Sequence, residues 1–210
     1  MAEGRKPADG SAMSLLTARI DELLKRRGGD RPVLAAIDGP CAGGKTTLAA
    51  RLGALYDAPV LHMDDYFLQP HQRTPQRYAA PGENVDHERF LEEVLLPLDE
   101  GREAMYRPFD CGRMALGEAR VIARAPLMIV EGSYSLHPQL EAYYDLRVLL
   151  TADERLRHAR ILKRNGSEGL RVFIERWIPL ENRYFERTRI EARCDVRLHA
   201  DADGVLRLLL

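Results

Sequence analysis

The sequence predicts an α/β fold in which a mostly parallel central sheet lies between two layers of helices. Four continuous apolar runs are the candidate strands, at residues 33–37, 60–61, 127–130 and 146–150. They lack the alternation of a half-exposed strand, which is typical of strands buried on both faces of a parallel sheet. Three helical stretches follow these runs, at residues 45–55, 87–98 and 153–163. Strands that alternate with helices in this way predict a doubly wound sheet.

The segment before the first apolar run predicts one amphipathic helix. Between residues 11 and 27, apolar side chains recur at helical spacing, and Gly28 and Gly29 follow where a C-terminal cap belongs. We therefore divide the chain into an N-terminal extension with a leading helix, residues 1–30, and a single domain, residues 31–210.

Composition limits the architectures and partners. A chain of 210 residues with 45% apolar content can bury one substantial core, and a second full domain is not expected. The formal charge of −1, from 31 basic and 32 acidic residues, argues against a nucleic-acid or membrane-surface partner. Both partners are anionic, and proteins that bind them usually carry a large excess of positive charge. Any basic site must therefore be local.

The cysteines and the hydropathy pattern predict a cytoplasmic protein. Cys41, Cys111 and Cys194 are odd in number and widely spaced, which fits neither a disulfide framework nor a paired metal motif. Residues 1–11 lack the apolar core of a signal peptide, and no apolar run reaches the length of a membrane span. A homo-oligomer stays an open alternative.

The strongest motif is a glycine-rich loop after the first apolar run. Residues 39–46 match G-x-x-x-x-G-K-[ST], the phosphate-binding loop (P-loop). Its glycines let successive N–H groups face the phosphates, and the following helix points its positive end at them. The loop predicts binding of ATP with Mg²⁺, in which Lys45 adds a catalytic charge and Thr46 offers a hydroxyl to the metal. The expected nucleotide contacts are Gly39, Ala42, Gly43, Gly44, Lys45, Thr46 and Thr47.

Two carboxylates follow the second apolar run. Asp64 and Asp65 should emerge at the carboxyl end of a strand, where open α/β sheets hold their ligands. A carboxylate there can position an acceptor hydroxyl and take its proton, whereas the alternative is a pair that caps a turn. Neighbours in an extended chain point to opposite sides, so only one should face the γ-phosphate. We assign Asp64 to catalysis and keep the reverse assignment open.

Residues 127–132 have the form of a Walker B strand that ends in an acid. Glu131 is suited to holding a Mg²⁺-bound water beside Thr46. The alternative is a solvated acid at a strand end. Thr46 and Glu131 are thus the predicted metal-binding pair.

A cationic helix face predicts a lid near residues 155–170. Its cations recur at spacings of three and four: Arg155, Arg157, Arg160, Lys163 and Arg164. We expect Arg160 and Arg164 to stabilise charge on the transferring phosphoryl group, although a charged face is often simply solvated.

Two further segments have weaker signals. Residues 68–85 are rich in Pro, Gln, Arg and Gly and lack periodicity, which favours a substrate-facing loop. An aromatic and apolar stripe at helical spacing favours packing on a kinked helix over a base-stacking platform. The stripe consists of Phe173, Trp177, Leu180 and Tyr184.

Four motifs in this order resemble the uridine-kinase-like family, whose relatives include phosphoribulokinase and bacterial pantothenate kinase. They are the P-loop and residues 64–67, 84–87 and 129–132, and the resemblance covers residues 33–164. It implies the P-loop NTPase three-layer sandwich and ATP-dependent transfer of the γ-phosphate to a hydroxyl of a small molecule, with a uridine- or cytidine-like nucleoside as the expected acceptor.

The resemblance also implies individual roles. Asp64 aligns with the acid that acts on the acceptor hydroxyl, and Asp86 with an acid that contacts ribose hydroxyls, although Asp86 is equally placed to cap the helix that starts at His87. The expected acceptor contacts are Asp65, Tyr66, Asp86, Phe109 and Asp110.

One departure concerns the base. In the family a Y-D-F segment is followed by a histidine that recognises the nucleobase, whereas residues 106–113 contain none. A site that lacks this hydrogen-bonding partner discriminates poorly between nucleobases. The resemblance therefore implies a kinase and does not imply that the uracil base is recognised. The alternatives are a kinase for another alcohol, such as a sugar phosphate or pantothenate, and a P-loop ATPase or nucleotide switch that acts on a protein partner.

Overall fold

The computed structural model describes residues 9–28 and 31–209. Its ten strands, in chain order, are β1 (Val33–Asp38), β2 (Val60–His62), β3 (Ala104–Tyr106), β4 (Phe109–Asp110), β5 (Ala115–Leu116), β6 (Arg120–Ile122), β7 (Leu127–Glu131), β8 (Leu146–Ala152), β9 (Val196–Ala200) and β10 (Leu206–Leu209). Six of them form the central sheet in the order β10-β9-β8-β1-β7-β2, and only the β9–β10 pair is antiparallel. β3 pairs with β6 and β4 with β5 in short antiparallel ribbons.

The α-helices precede or connect these strands. They are α1 (Asp9–Arg26), α2 (Lys45–Tyr56), α3 (Pro75–Ala79), α4 (His87–Phe90), α5 (Leu96–Asp99), α6 (Glu154–Val172) and α7 (Ile178–Thr188). A π-helical segment, Leu91–Leu95, joins α4 to α5, and a second, Phe173–Trp177, joins α6 to α7. Within the described chain, no helix combines the length and apolarity that crossing a bilayer requires.

Alternate residues of each central strand pack into two different cores. Val33, Ala35 and Ile37 of β1 join the core formed with α1 and α2. Leu34 and Ala36 join the opposite core, which contains the α4–α5 helix and Tyr184 of α7. Both faces of the sheet are therefore covered, which confirms the predicted α/β three-layer sandwich with a mostly parallel sheet.

The strongly apolar elements lie where the sequence predicts them. The four continuous runs form β1, β2, β7 and β8, and the leading helix ends at Arg26, while Gly29 lies outside the described residues. The predicted substrate loop carries α3 and a short 3₁₀ turn, Pro70–Gln72. The sequence analysis used continuous apolar runs and therefore missed β9, in which buried and half-exposed residues alternate, although such alternation is itself typical of a strand. It also missed β10, in which three of the four residues are exposed at the sheet edge.

The parallel pairing brings distant segments to one edge of the sheet. Ile37 of β1 and His62 of β2 both lie in register with Glu131, the last residue of β7. The chain segments that leave these three strands therefore meet at their carboxyl ends, and one of them is the P-loop.

Candidate active site

The P-loop connects β1 directly to α2, and its backbone requires glycine at the first position. Gly39 has φ 150°, and a Cβ atom there would lie 1.9 Å from the carbonyl oxygen of Leu150. Gly44 is the N-cap of α2, which begins at Lys45. The positive end of the α2 dipole therefore faces the loop, as an anion-binding site requires.

Lys45 is buried and turned back over the loop. Its Nζ donates to the carbonyl oxygens of Gly39, at 2.8 Å, and Pro40, at 3.0 Å, and to Ser133 Oγ, at 3.3 Å. All three acceptors are neutral, so its direct hydrogen bonds do not compensate the ammonium charge. This arrangement can stabilise a bound polyphosphate.

Thr46 and Glu131 come together as the motif spacing predicts. Thr46 Oγ1 donates to Glu131 Oε1 at 3.1 Å, and Glu131 is buried at the end of β7. His62 Nδ1 lies 2.6 Å from the same carboxylate oxygen, and this hydrogen bond raises the pKa of His62. A hydroxyl beside a carboxylate is an oxygen donor set that fits Mg²⁺. Sequence reasoning missed His62, which gave no motif signal beyond its position at a strand end.

Asp64 and Asp65 lie in a 3₁₀ turn, Met63–Tyr66, and face different surroundings. Asp64 lines a cavity of about 380 Å³ that it shares with the P-loop. Asp65 accepts a hydrogen bond from Tyr106 Oη at 3.0 Å and lies 3.6 Å from Arg120. The two carboxylates therefore have separate partners, and Asp64 is the one beside the phosphate-binding elements.

Its surroundings raise the pKa of the Asp64 carboxyl. Desolvation by neighbouring protein atoms is the main cause, and the negative charges of Glu131 and Glu181 add to it, while the positive charge of Lys45 opposes them. A raised pKa makes a carboxylate a stronger base, which suits a group that accepts a proton from a hydroxyl.

The cavity joins the nucleotide-binding elements to the lid segment. Residues 41–47 of the P-loop line it together with Asp64, Glu131 and Ser133. Asn84 and Val85 of the predicted substrate loop line another part, together with Phe67, which precedes that loop. Helix α6 contributes Arg160 and Arg164, and the π-helical segment that follows it contributes Phe173 and Trp177. Gly132, Tyr134 and Glu181 complete the lining.

The predicted acceptor contacts do not line this cavity. Tyr66 is 1% exposed and packs against Phe90 and Tyr106 in the core. Asp86 accepts from Arg89 N at 3.3 Å as the N-cap of α4, which is the alternative considered for it. Of the other three predicted contacts, Asp65 accepts a hydrogen bond from Tyr106 Oη, and Phe109 is buried. Asp110 accepts from two backbone N–H groups of its turn.

The cationic helix face divides into three parts. Arg160 Nη1 donates to Ala42 O at 3.0 Å, and Arg160 and Arg164 both line the cavity. Arg157 is buried and donates to Cys41 O at 2.9 Å. Arg155 and Lys163 are exposed and lie outside the cavity lining. Only part of the face is therefore solvated.

Helix α6 bends at Gly166, just beyond these cations. The residue has φ 73° and ψ −178°, a conformation that other residues rarely adopt. The bend separates the part of α6 that contacts the P-loop from the part that leads to Phe173 and Trp177. Segments that close over a ligand often have small residues at the hinge position, and Gly166 is a residue of this kind.

Sequence reasoning missed two buried acids. The Glu181 carboxylate accepts from Cys41 N, at 2.9 and 3.1 Å, and from Ser133 Oγ, at 2.7 Å. Asp38 accepts from four donors: Gly39 N, Tyr134 N, Leu136 N and Tyr184 Oη. Burial raises the pKa of Asp38 to about 6, against the lowering effect of these hydrogen bonds. Neither acid stands in a motif, and each contact is formed by the tertiary fold.

The aromatic and apolar stripe, for which packing is predicted, is packed only in part. Tyr184 is fully buried, as a packing residue should be. Phe173 and Trp177 are half-buried and line the cavity, where Arg164 lies over the Phe173 ring, 5.8 Å from its centroid. Two of the four stripe residues therefore face the candidate active site.

No family model matches the sequence. Uridine-cytidine kinase D of Dictyostelium discoideum is 25% identical over 138 residues, which cover 66% of this chain and 27% of that protein. The chain thus matches about a quarter of that relative's length.

Solved structures share the fold. A protein described as a possible uridine kinase from Bacillus stearothermophilus has a TM-score of 0.61 and 21% identity, covering 87% of this chain and 98% of its own. D-glycerate 3-kinase from Cryptococcus neoformans has a TM-score of 0.65 and 14% identity, covering 96% and 99%. These two structures show the fold that the chain shares with them, and the resemblance to uridine-kinase-like P-loop kinases rests on this fold together with the Dictyostelium relative.

Proposed function

We propose that this chain is an ATP-dependent kinase that transfers the γ-phosphate to a hydroxyl of a small molecule, with a uridine- or cytidine-like nucleoside as the first acceptor to test. One observation carries the proposal. The P-loop, the Thr46–Glu131 pair and the Asp64 carboxylate line a single cavity, so nucleotide, metal and acceptor base have places beside one another. The kinases among the relatives, one acting on nucleosides and one on glycerate by name, support this class of reaction.

Each group has a defined task in this proposal. Lys45 and the P-loop N–H groups would hold the phosphates of ATP, and Thr46 and Glu131 would hold Mg²⁺, which would supply positive charge to the phosphates. Asp64 orients the acceptor hydroxyl and accepts its proton as the hydroxyl oxygen bonds to phosphorus and ADP leaves. Ser133 Oγ lies 2.7 Å from Glu181 Oε1 and 3.0 Å from Gly39 O, so its single hydroxyl proton can bond to either oxygen beside the loop.

The segment assignments follow from the same cavity. We assign residues 31–210 to the kinase domain, residues 68–85 to the acceptor loop and residues 155–170 to the lid, whose bend at Gly166 supports the last assignment. A cytoplasmic location stays a prediction, as do the substrate roles of the five side chains that lie outside the cavity lining.

A screen of acceptors tests the proposed reaction. ATP labelled at the γ-phosphate is incubated with uridine, cytidine, simple sugars, glycerate and pantothenate, and the labelled products are separated. We expect a phosphorylated alcohol, with a nucleoside among the best acceptors. Release of free phosphate alone, at a rate that no acceptor changes, would instead identify an ATPase or nucleotide switch.

Replacing Arg160 and Arg164 together by alanine should lower turnover by a factor of about 10²–10³ and weaken ATP binding much less. These cations are proposed to meet the phosphoryl group chiefly during transfer. Turnover at saturating ATP and the ATP dissociation constant are measured side by side.

The matched control is the double variant Arg155→Ala with Lys163→Ala. It removes the same charge from exposed positions of the same helix, outside the cavity lining. If the Arg160 and Arg164 variant loses affinity but keeps turnover at saturating ATP, the two side chains bind the ground state and the lid role is wrong.

A further inference from the structure

Two buried side chains from different helices hold the same P-loop residue. Arg157 of α6 donates through Nε to Cys41 O at 2.9 Å and through Nη2 to Cys41 Sγ at 3.4 Å. The Glu181 carboxylate of α7 accepts from Cys41 N at 2.9 and 3.1 Å. Arg157 is 8% exposed and Glu181 is 4% exposed. The backbone N–H and C=O of Cys41 are therefore both bound to charged side chains, and such hydrogen bonds are stronger than those between neutral groups.

Arg157 and Glu181 also form an ion pair with each other. Arg157 Nη2 lies 3.6 Å from Glu181 Oε2, beside Cys41. A buried charge that loses its partner is costly, so each side chain keeps the other in place. The pair closes residues 158–180 into a loop, and both ends of this loop lie at Cys41. We call residues 158–180 the lid loop.

The lid loop carries the two cations that line the cavity beside the P-loop. Arg160 and Arg164 precede the bend at Gly166, and the π-helical segment follows it. Residues 162–168 and 174–176 of the lid loop are exposed. A segment with so few buried side chains opens at a low cost in free energy. The position of the lid loop therefore depends on how its two ends are held.

Cys41 lies beside the place proposed for the phosphates. It lines the cavity as part of the P-loop, and the carbonyl oxygen of the next residue, Ala42, accepts from Arg160 Nη1 at 3.0 Å. Groups that stabilise charge on a transferring phosphoryl group must be held at the correct distance, and a shift of about 1 Å can cost a factor of about 10² in rate. Because one residue joins the P-loop to both ends of the lid loop, the distance between the lid cations and the P-loop is set there.

We propose that Arg157 and Glu181 are positioning residues for phosphoryl transfer: their ion pair anchors both ends of the lid loop at Cys41 and so places Arg160 and Arg164 over the bound phosphates. This inference rests on the proposed kinase function and adds two residues to it. Both act through Cys41 and the lid cations, so their effect on the reaction should disappear when those cations are absent.

Single variants should reduce turnover more than nucleotide binding. Arg157→Met keeps most of the buried stem without the charge, and Glu181→Gln keeps the shape of the side chain without the charge. We expect each variant to lower turnover at saturating ATP and acceptor by a factor of about 10–10², with the ATP dissociation constant changed by less than about threefold. Arg155→Met and Glu186→Gln make the same changes at exposed positions of the same two helices and should leave turnover unchanged.

A double variant separates positioning from stability. Each single variant leaves one buried charge without its partner and should unfold at a lower temperature than wild type. Arg157→Met combined with Glu181→Gln leaves no unpaired charge of this pair and should regain most of the lost thermal stability. Turnover should nevertheless stay low in the double variant, because the lid loop is no longer anchored. A merely structural pair would regain turnover together with stability.

A second background tests the route of the effect. In a protein in which Arg160 and Arg164 are already alanine, Arg157→Met should lower turnover by less than about twofold, since the cations that it positions are absent. Effects that multiply in this background would show that Arg157 acts independently of the lid cations and would contradict the proposal.

Hydrogen exchange measured by mass spectrometry tests the anchor without any reaction. In protein without nucleotide, residues 158–180 should exchange at least about tenfold faster in both single variants and in the double variant than in wild type, and at the wild-type rate in the two exposed-site controls. If no acceptor is phosphorylated, the proposed function fails, and the exchange rates still decide whether the pair anchors the lid loop. Three results would overturn the inference: wild-type turnover in both single variants, turnover that returns with stability in the double variant, and unchanged exchange of residues 158–180.

Discussion

Replacing Asp64 by asparagine should lower phosphate transfer by a factor of about 10²–10⁴ while ATP binding stays nearly unchanged. The amide keeps the shape of the side chain but cannot accept the proton of the acceptor hydroxyl. The measurement is single-turnover transfer from labelled ATP to the acceptor identified by the screen, together with ATP titration by calorimetry.

The same variant should change the pH profile. Desolvation by neighbouring protein atoms raises the pKa of the Asp64 carboxyl, and the negative charges of Glu131 and Glu181 add to this effect, while the positive charge of Lys45 opposes it. Only the ionised carboxylate can accept a proton, so the wild-type rate should fall as pH decreases through this raised pKa. The acidic limb of the profile should be absent in Asp64→Asn.

Asp65→Asn is the matched control because it makes the same chemical change one residue later. Asp65 accepts a hydrogen bond from Tyr106 and lies outside the cavity lining, so phosphate transfer should fall less in Asp65→Asn than in Asp64→Asn. Equal losses in both variants would imply a shared role, and a loss confined to Asp65→Asn would reverse the assignment. If neither variant slows transfer, the proposed acceptor chemistry is wrong.

Replacing Lys45 by alanine should lower transfer by a factor of about 10²–10³ and weaken the binding of ATP with Mg²⁺. Lys45 is the buried cation of the P-loop, and its hydrogen-bond acceptors are neutral oxygen atoms of Gly39, Pro40 and Ser133. Calorimetry measures the affinity, and thermal unfolding checks that the fold is retained.

Two controls separate charge from packing at Lys45. Lys45→Met keeps most of the buried stem and removes the charge, so it should match Lys45→Ala in activity. Lys163→Ala removes an exposed lysine outside the cavity and should have little effect. Unchanged ATP affinity together with unchanged turnover in Lys45→Ala would contradict the P-loop interpretation.

The parts that could be predicted from sequence are local in the chain. The P-loop needs only eight consecutive residues and the strand and helix beside them, and Glu131 is recognised because an acid ends a buried strand. The apolar runs likewise predict the central strands, since burial on both faces requires apolar residues at every position. Each of these signals can be read without knowing what lies across the fold.

The parts that could not be predicted depend on contacts between distant segments. Glu181 reaches Cys41 N because α7 packs beside the P-loop, and the intervening sequence contains no sign of it. The acceptor contacts implied by the family resemblance lie outside the cavity lining, whereas residues 41–47 of the P-loop line it. Tyr66 and Phe109 are buried in the core, since aromatic residues near a site pack equally well beneath it.

The strand order also sets the sequence in which this site can be assembled during biosynthesis. β1, which carries the P-loop, pairs with β7 and β8, through Val33 with Leu127 and Ala35 with Leu146. Pairings so distant in sequence are slow to form, because the intervening chain must lose its freedom first. Residues 33–37 leave the ribosome long before residues 127–131 and 146–152, so this apolar segment stays without its partner strands while most of the chain is synthesised, and an unpaired apolar strand is prone to aggregation.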